Sequence, residues 1–345
     1  MTLKHLLLGT LGMLPLMAAG VAHADDLDVG ETHVGTKIFL NASDLEQHVN
    51  GVRTDDSGTQ ADLTRFFINI DHRFSDVWSA HLTTDVHWMR HDDPTDVWLR
   101  YAYMEGEFSK AFTLRLGSAP MPWQGLVNQW YGYRYVEKDL TIRAKVGNAA
   151  DWGVHALGTL GADGRVDYAA SVVTGAGYKK PRLGNGPDVA ARVSFQPSEH
   201  TMVGVGGYRG TLGEDAGALH REHTATRWSL IAAYMDSRWR LGGQWFRADD
   251  FTRVTTPGSD RSQGWSAWAS MQVTPVVAVF ARHDHYKPSR QLDPERRDRY
   301  SNLGVEWKTT DWLRLAAVLK RERLSRDGVH LTSVNEAGVW AQIAF

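Results

Sequence analysis

Arginine and lysine recur at alternate positions of segments that otherwise alternate apolar and polar residues. With a two-residue period, these cations share one face of an extended chain, opposite the apolar side chains. A guanidinium offers parallel donors to a carboxylate or phosphate, so a row of arginines provides successive weak sites for oxyanions. The cations predicted on this face are Arg65, Arg100, Arg115, Arg192, Arg240, Arg314 and Lys320.

The same face also carries acids, which leaves a second interpretation of each cation open. The acids in phase with the arginines are Asp71, Asp85, Glu306, Glu322 and Glu336. Opposite charges on neighbouring strands commonly pair, so each arginine is either a free contact for a solute or half of a wall ion pair. The pattern therefore supports only a weak preference for anions.

A second basic group lies in the longest stretch without a strand pattern, residues 119–148. Long ordered connections are usually functional, and cations in a narrow, partly desolvated space act strongly on passing charges. We expect this stretch to fold inward as a constriction, although an external cap with solvated charges is the alternative. The predicted constriction residues are Tyr131, Tyr133, Arg134, Lys138, Arg143 and Lys145.

Aromatic rings in and near this stretch suggest a different chemistry, the stacking of sugar rings. The candidates for an aromatic slide are Trp98, Trp123, Trp130, Tyr131, Tyr133 and Tyr135. Large rings also fill space, so packing is the other interpretation.

Two pairs of histidines could each bind a transition metal or lie solvated in a loop. The pairs are His283 with His285 and His87 with His91. No catalytic motif is present, and we predict no enzyme, cofactor or metal.

The elements that position these side chains are strands. Trp78, Ala80 and Leu82 share one face while Ser79 and His81 share the other, and this alternation recurs in about sixteen segments. Short connections such as 236–238 alternate with long ones such as 250–263 along the chain. Tight periplasmic turns and long extracellular loops give outer-membrane barrels this parity. A count of 14 or 18 strands is the alternative, since such barrels take even numbers.

Composition agrees with this architecture. The 345 residues include 38 Lys+Arg, 40 Asp+Glu and no Cys, which disfavours a nucleic-acid binder and excludes disulfide scaffolds. Residues 1–24 are predicted to be a signal peptide, because an apolar run ends in Ala22-His23-Ala24, and residues 25–345 form the barrel. No later segment reaches 18 uninterrupted apolar residues, so a membrane crossing requires a closed sheet.

Tryptophans lie mainly near strand ends, where outer-membrane barrels carry aromatic belts. The belt candidates are Trp78, Trp88, Trp228, Trp239, Trp245, Trp265 and Trp307. The chain ends in an alternating apolar strand that closes on Phe345, and this ending resembles the sorting signal of outer-membrane barrels.

The stretches 114–117, 122–123 and 131–138 resemble the phosphate-selective porin O/P family, with further similarity at 173–178 and 188–197. The resemblance implies a sixteen-stranded, homotrimeric passive channel of the bacterial outer membrane, narrowed by the loop after the fifth strand. The sequence lacks the dense lysine cluster of the family's phosphate-selective members.

The sequence as a whole predicts an all-β, transmembrane antiparallel barrel of about sixteen strands that acts as a porin. We expect passive diffusion of small hydrophilic solutes with a mild preference for anions such as phosphate, and a carbohydrate porin is the alternative. The expected partners are these solutes and outer-membrane lipid, with no nucleic acid.

Overall fold

The structure, a computed structural model, describes residues 31–88, 95–182, 184–216 and 220–345. The predicted signal peptide 1–24 and the loop residue His91 lie outside the described residues. Most of the described chain is in antiparallel strands, as the period-two pattern predicts. Two short helices interrupt the strand order, and both lie between β6 and β7.

The strands have the following bounds. They are β1 Thr32–Val49, β2 Val52–Arg53, β3 Gly58–Arg73, β4 Trp78–Trp88, β5 Thr95–Ser109, β6 Phe112–Pro120, β7 Ala150–Leu160, β8 Val166–Val173, β9 Asp188–Ser198, β10 Thr201–Gly210, β11 Ala225–Met235, β12 Trp239–Asp249, β13 Arg261–Thr274, β14 Val277–Lys287, β15 Arg297–Lys308, β16 Leu313–Arg326 and β17 Val329–Ala344.

The sheet closes on itself. Each long strand pairs with its neighbours in the chain, and β17 pairs with β1 from Lys37 opposite Ala344 to Val49 opposite Thr332. The two-residue β2 adds only a short pairing beside the β1–β3 connection. Sixteen long strands therefore form a barrel without a free edge, which confirms the predicted fold.

The connections differ in length between the two ends of the barrel, as predicted, with one exception. We expected a long loop at 325–331, but β16 runs to Arg326 and β17 begins at Val329. Asp327 and Gly328 alone connect them, with φ angles of 49° and 79°. A two-residue hairpin requires left-handed backbone at both central positions, and an Asp-Gly pair adopts it readily. This loop is therefore tight.

The outer surface is apolar and the inner surface is polar. Leu303 and Leu319 point outward and are 58% and 61% exposed, whereas Asp85 and Arg282 point inward and are buried. In β14, Ala278 and Phe280 are buried and face inward. No water is available in lipid to bond to the backbone groups of an open sheet edge. The closed sheet, with apolar side chains outside and polar side chains inside, therefore suits a bilayer.

The exposed tryptophans lie at strand ends on the outer surface, as predicted for the belts. Trp78, Trp239 and Trp307 lie at the end with short turns, and Trp88 and Trp228 lie near the loop end. In the described part of the chain, no helix is long and apolar enough to cross a membrane.

Candidate functional site: the inserted loop

The segment 121–149, which follows the fifth spanning strand, folds into two helices. α1 spans Pro122–Tyr131, with proline at its first turn, and it ends at Gly132, whose left-handed φ of 81° lets its N–H bond to Asn128 O. α2 spans Leu140–Arg143. We call 121–149 the inserted loop, because its side chains contact the inner faces of many strands.

Three tyrosines of the inserted loop pack against one side of the inner wall. Tyr133 stacks on Phe280 of β14 with ring centroids 4.1 Å apart, and Tyr131 packs edge-on against Trp268 of β13 at 5.8 Å. The hydroxyl of Tyr135 donates to Glu306 of β15 at 2.8 Å. The loop therefore lies inside the barrel against this part of the wall.

Glycines on the inner wall leave space for aromatic rings where the loop and the wall meet. A Cβ on Gly206 would lie 2.6 Å from the Trp123 ring, and one on Gly304 would lie 2.4 Å from the Phe280 ring. Neither distance is compatible with a side chain unless the rings move. Glycine in a strand interior costs stability, and here it allows close approach of the loop.

Arg143 at the end of α2 binds three carboxylates from three different strands. It lies 3.3 Å from Asp284 and 3.0 Å from Glu322, forms an ion pair with Asp298, and its side chain is only 8% exposed. The sequence predicted Arg143 as an open cation of the constriction. In the structure its charge is neutralised, so Arg143 holds the loop to β14, β15 and β16.

Further cations of the wall hold the loop by its backbone or by its acid. Arg240 Nη1 donates to Gln129 O at 2.9 Å, and Arg282 Nη1 donates to Lys138 O at 2.8 Å. Lys320 lies 3.8 Å from Glu137 and 3.3 Å from Glu336. Arg240 and Lys320, which the sequence predicted as solute contacts, therefore have partners in the loop or wall.

A group of five cations lies on the opposite side of the inserted loop, between it and strands β3 to β5. We call it the cationic cluster, and its members are Arg65, Arg100, Arg134, Lys138 and Lys179. Asp85 is the carboxylate of the described residues that pairs with it, at 2.9 Å from Arg65 and 3.9 Å from Arg100. The cluster therefore carries excess positive charge.

Arg134 is the member of the cluster that the loop itself contributes. Burial, followed by repulsion from Arg65 and Arg100, lowers the pKa of Arg134 to about 10. Within the described part of the chain, its side chain forms no hydrogen bond or ion pair. A half-buried guanidinium that faces like charges and lacks a bound carboxylate is arranged to meet an anion.

The remaining predicted cations divide into paired and unpaired ones. Arg115 binds Glu105 at 2.5 Å, and Arg192 donates to the Ser194 hydroxyl at 3.0 Å. Arg314 has no ion pair with a described residue. Lys145 is exposed and lines a separate cavity of about 190 Å³ behind the loop, away from the cationic cluster.

All five predicted wall acids have partners. Asp71 binds His81 at 2.5 Å. The other four and their partners are Asp85 with Arg65, Glu306 with Tyr135, Glu322 with Arg143 and Glu336 with Lys320. Among the described residues, no three histidines or acids are grouped so that they could hold a metal ion. The His283 ring bonds to the Ser301 hydroxyl at 2.7 Å instead.

Sequence reasoning missed Lys37, Tyr178 and Lys179. Lys37 is in phase with Phe39, which points inward, so strand parity alone would have identified it. Lys179 lies 3.5 Å from the Trp98 ring centroid, and the Tyr178 hydroxyl donates to Asp85 at 2.6 Å. Both belong to the β8–β9 connection, whose position relative to β4 follows only from the closed barrel.

Comparison with known proteins gives matches in structure alone. No protein-family model matches the chain, and no curated protein sequence matches it. An anion-selective porin from Comamonas acidovorans is similar with a TM-score of 0.67 and 12% identity, over 91% of this chain and 99% of that one. The fold is that of the bacterial outer-membrane porins.

Two other solved structures agree. The outer-membrane channel DcaP of Acinetobacter baumannii has a TM-score of 0.63 at 8% identity, covering 91% of this chain and 97% of its own. OmpT of Vibrio cholerae has a TM-score of 0.62 at 13% identity, with the same coverages. The sixteen-stranded barrel is thus shared at identities too low to transfer a solute.

The cap of α2 gives a local prediction. Asp139 accepts bonds from Thr141 N at 3.0 Å and from Gln124 Nε2 at 3.1 Å. Losing such a cap costs about 1 kcal/mol, so Asp139→Ala should lower hydrogen-exchange protection of the Thr141 amide about fivefold. Asp163→Ala in an exposed turn is the control. Unchanged protection in Asp139→Ala would show that the cap does not order the loop.

Proposed function

We propose that this chain is a porin of the bacterial outer membrane that allows passive diffusion of small hydrophilic solutes. The observation that carries the proposal is the one-sided position of the inserted loop. Its rings pack toward β13 to β15, and its free cations, Arg134 and Lys138, face β3 and β5. A porin requires this arrangement, in which a loop narrows a wide barrel without filling it.

The cationic cluster supports a preference for anions. Asp85 is shared between two guanidiniums, while Arg134, Lys138 and Lys179 form no ion pair with described residues. Charges that border a narrow passage between low-dielectric walls attract counter-ions and repel co-ions. The anion-selective porin among the structural matches has the same fold and is consistent with this preference.

Phosphate selectivity and trimer formation are finer parts of the proposal. The resemblance of 114–117, 122–123 and 131–138 to the phosphate-selective porin O/P family implies the trimer, but the sequence lacks that family's dense lysine cluster, so phosphate selectivity rests on the arginines. Arg134 with Arg100 offers donors that suit phosphate as well as carboxylates. A structure with OmpT of Vibrio cholerae as a trimer is among the matches, which supports the expected homotrimer.

The carbohydrate alternative receives less support, because five of the six rings that would form an aromatic slide are buried and Lys179 lies over the sixth, Trp98. Trp123, Trp130, Tyr131, Tyr133 and Tyr135 are each at most 6% exposed. Sugar stacking requires open ring faces along the passage. The same rings instead fix the loop to the wall by packing.

Liposome swelling tests the porin proposal. Proteoliposomes should swell in small neutral solutes at rates that fall steadily with solute size. Small anionic solutes should enter faster than cationic ones of equal size. If liposomes with correctly folded protein swell no faster than protein-free ones, the chain is not a porin.

Lys179 makes the anion preference depend on pH. Burial, followed by repulsion from Arg65, lowers the pKa of Lys179 to about 8, so the side chain is charged below that pH and neutral above it. We expect the anion preference in zero-current potentials to fall as pH rises from 7 to 9. Lys179→Met should start lower and lose this step, and an identical step in the variant would contradict the assignment.

A further inference from the structure

Three guanidiniums project from the outer surface of the barrel near its loop end. Arg321 and Arg323 lie on β16, in phase with the outward-facing Leu319, and Arg299 lies on β15, in phase with the outward-facing Leu303. Strand alternation therefore places all three on the side away from the lumen. None of them contributes to the proposed passage.

These arginines form no ion pair with a described residue. Arg299 lies directly opposite Arg323 in the β15–β16 register, where like charges repel. Neither forms an ion pair with a described residue, and Nε of Arg323 is buried without a hydrogen bond. The adjacent acids, Asp298 and Glu322, point inward and bind Arg143. Since no carboxylate among the described residues pairs with Arg299 or Arg323, an anion from outside the chain would relieve this repulsion.

The depth of the arginines matches the headgroup region of a bilayer. Trp307 is exposed on the outer surface at the short-turn end of β15, where belts of aromatic rings mark the membrane boundary. Arg299 lies eight residues further along the same strand. With about 3.3 Å per residue and a tilt of about 40°, the rise along the membrane normal is about 20 Å. The apolar band of such barrels is about 25 Å tall, so the Arg299 backbone lies about 5 Å inside its outer boundary, and the long side chain carries the guanidinium to the headgroups.

A groove for hydrocarbon lies directly beside these cations. Leu303, Leu319 and Ala337 line a shallow outer groove, which Arg321 of β16 borders on one side and Asp44 and Glu46 of β1 border on the other. The three strands that form it are neighbours, and the apolar residues lie nearer the bilayer centre than the arginines. The arginines match the charged headgroup of a lipid, and the apolar side chains of the groove match its acyl chain.

We propose that Arg299, Arg321 and Arg323 bind the phosphate-bearing headgroup of a lipid in the extracellular leaflet, with an acyl chain in the groove below. Guanidinium pairs bind phosphate oxygens bidentately, and one phosphate between Arg299 and Arg323 removes their repulsion. A second copy of this chain, as in the proposed trimer, is the competing occupant, and the oligomeric state measured below separates it from lipid.

Native mass spectrometry of the full-length protein in detergent tests this site. The probes are phosphatidic acid and phosphatidylcholine with identical acyl chains. We expect the protein to retain phosphatidic acid preferentially. In Arg299→Gln/Arg323→Gln the affinity for phosphatidic acid should fall about 30-fold, because each basic residue at a lipid surface contributes roughly fivefold. Affinity for phosphatidylcholine should not change.

The matched control is Arg247→Gln/Arg297→Gln. These outward arginines are already paired with Asp249 at 3.0 Å and Glu295 at 3.2 Å, so affinity should stay within about twofold. Equal binding of phosphatidic acid by wild type and Arg299→Gln/Arg323→Gln would overturn the proposal. So would light scattering that shows loss of oligomers in that variant with lipid binding intact, because a second copy would then occupy the patch.

The site is independent of the porin proposal. The arginines point away from the lumen, so Arg299→Gln/Arg323→Gln should swell liposomes at the wild-type rate. A protein that binds phosphatidic acid through these arginines but conducts nothing would leave the lipid site standing and remove the porin function.

Discussion

Arg134→Glu should lower the ratio of anion to cation permeability at least tenfold, and we expect the selectivity to reverse. The substitution changes the charge of the inserted loop by two units beside Arg65 and Arg100, where an unpaired cation now lies. Two charges about 4 Å apart interact by about 4 kcal/mol at an effective dielectric constant near 20, and about 1.4 kcal/mol already corresponds to tenfold. Zero-current potentials across a salt gradient measure the change.

Lys145→Glu is the matched control for Arg134→Glu. It makes the same change of charge in the same loop, but Lys145 lines the separate cavity behind the loop. We expect its permeability ratio to stay within about twofold of the wild type, because Lys145 is exposed to solvent, which screens its charge, and its cavity contains no member of the cationic cluster. Equal effects of the two substitutions would mean that the position of the charge is unimportant and that the cationic cluster does not set selectivity.

Arg143→Met should destabilise the folded barrel by about 3–5 kcal/mol. Removing one partner of a buried ion pair leaves the other charge uncompensated, and here Asp284, Asp298 and Glu322 all lose their shared cation. Tryptophan fluorescence during urea unfolding in detergent measures the loss. Zero-current potentials should also shift toward cations, because Asp298 and Glu322 then lack an ion pair, whereas Asp284 keeps its pair with Arg282 at 2.7 Å.

An exposed ion pair provides the comparison for Arg143. Arg297 lies 3.2 Å from Glu295 near the surface, and such pairs contribute about 0–1 kcal/mol. Arg297→Met should therefore leave the unfolding midpoint nearly unchanged. If both variants unfold at the same urea concentration, Arg143 does not fasten the loop, and the structural role assigned to it is wrong.

The fold could be predicted because strand alternation and loop parity are local signals. The alternation of residues such as His81 and Leu82 predicts which side chains of a strand face the lumen and which face lipid. The sheet must close, because the backbone groups of an open edge would lack hydrogen-bond partners in lipid. The exception at Asp327-Gly328 is also local. The prediction of a long loop at 325–331 is wrong because the Asp-Gly pair turns the chain with only two left-handed residues, and the strand alternation continues up to it.

The site was harder to predict, because its interactions join distant parts of the chain. Arg143 and Arg134 have the same residue type and lie in the same loop. One meets three carboxylates from β14, β15 and β16, and the other meets two arginines from β3 and β5. Nothing near either residue distinguishes them. Their partners are set by where the loop lies in the closed barrel, and sequence spacing does not encode that position.

The zero-current potential of the wild-type protein in a planar bilayer, under a tenfold gradient of potassium chloride, tests the central claim most directly. A water-filled passage bordered by Arg134, Arg100 and Lys138 predicts stable conductance steps and a potential whose sign reports faster chloride than potassium movement. Potassium preference would contradict the electrostatic account of the lumen. Silent bilayers with verified, folded barrels would contradict the passage itself.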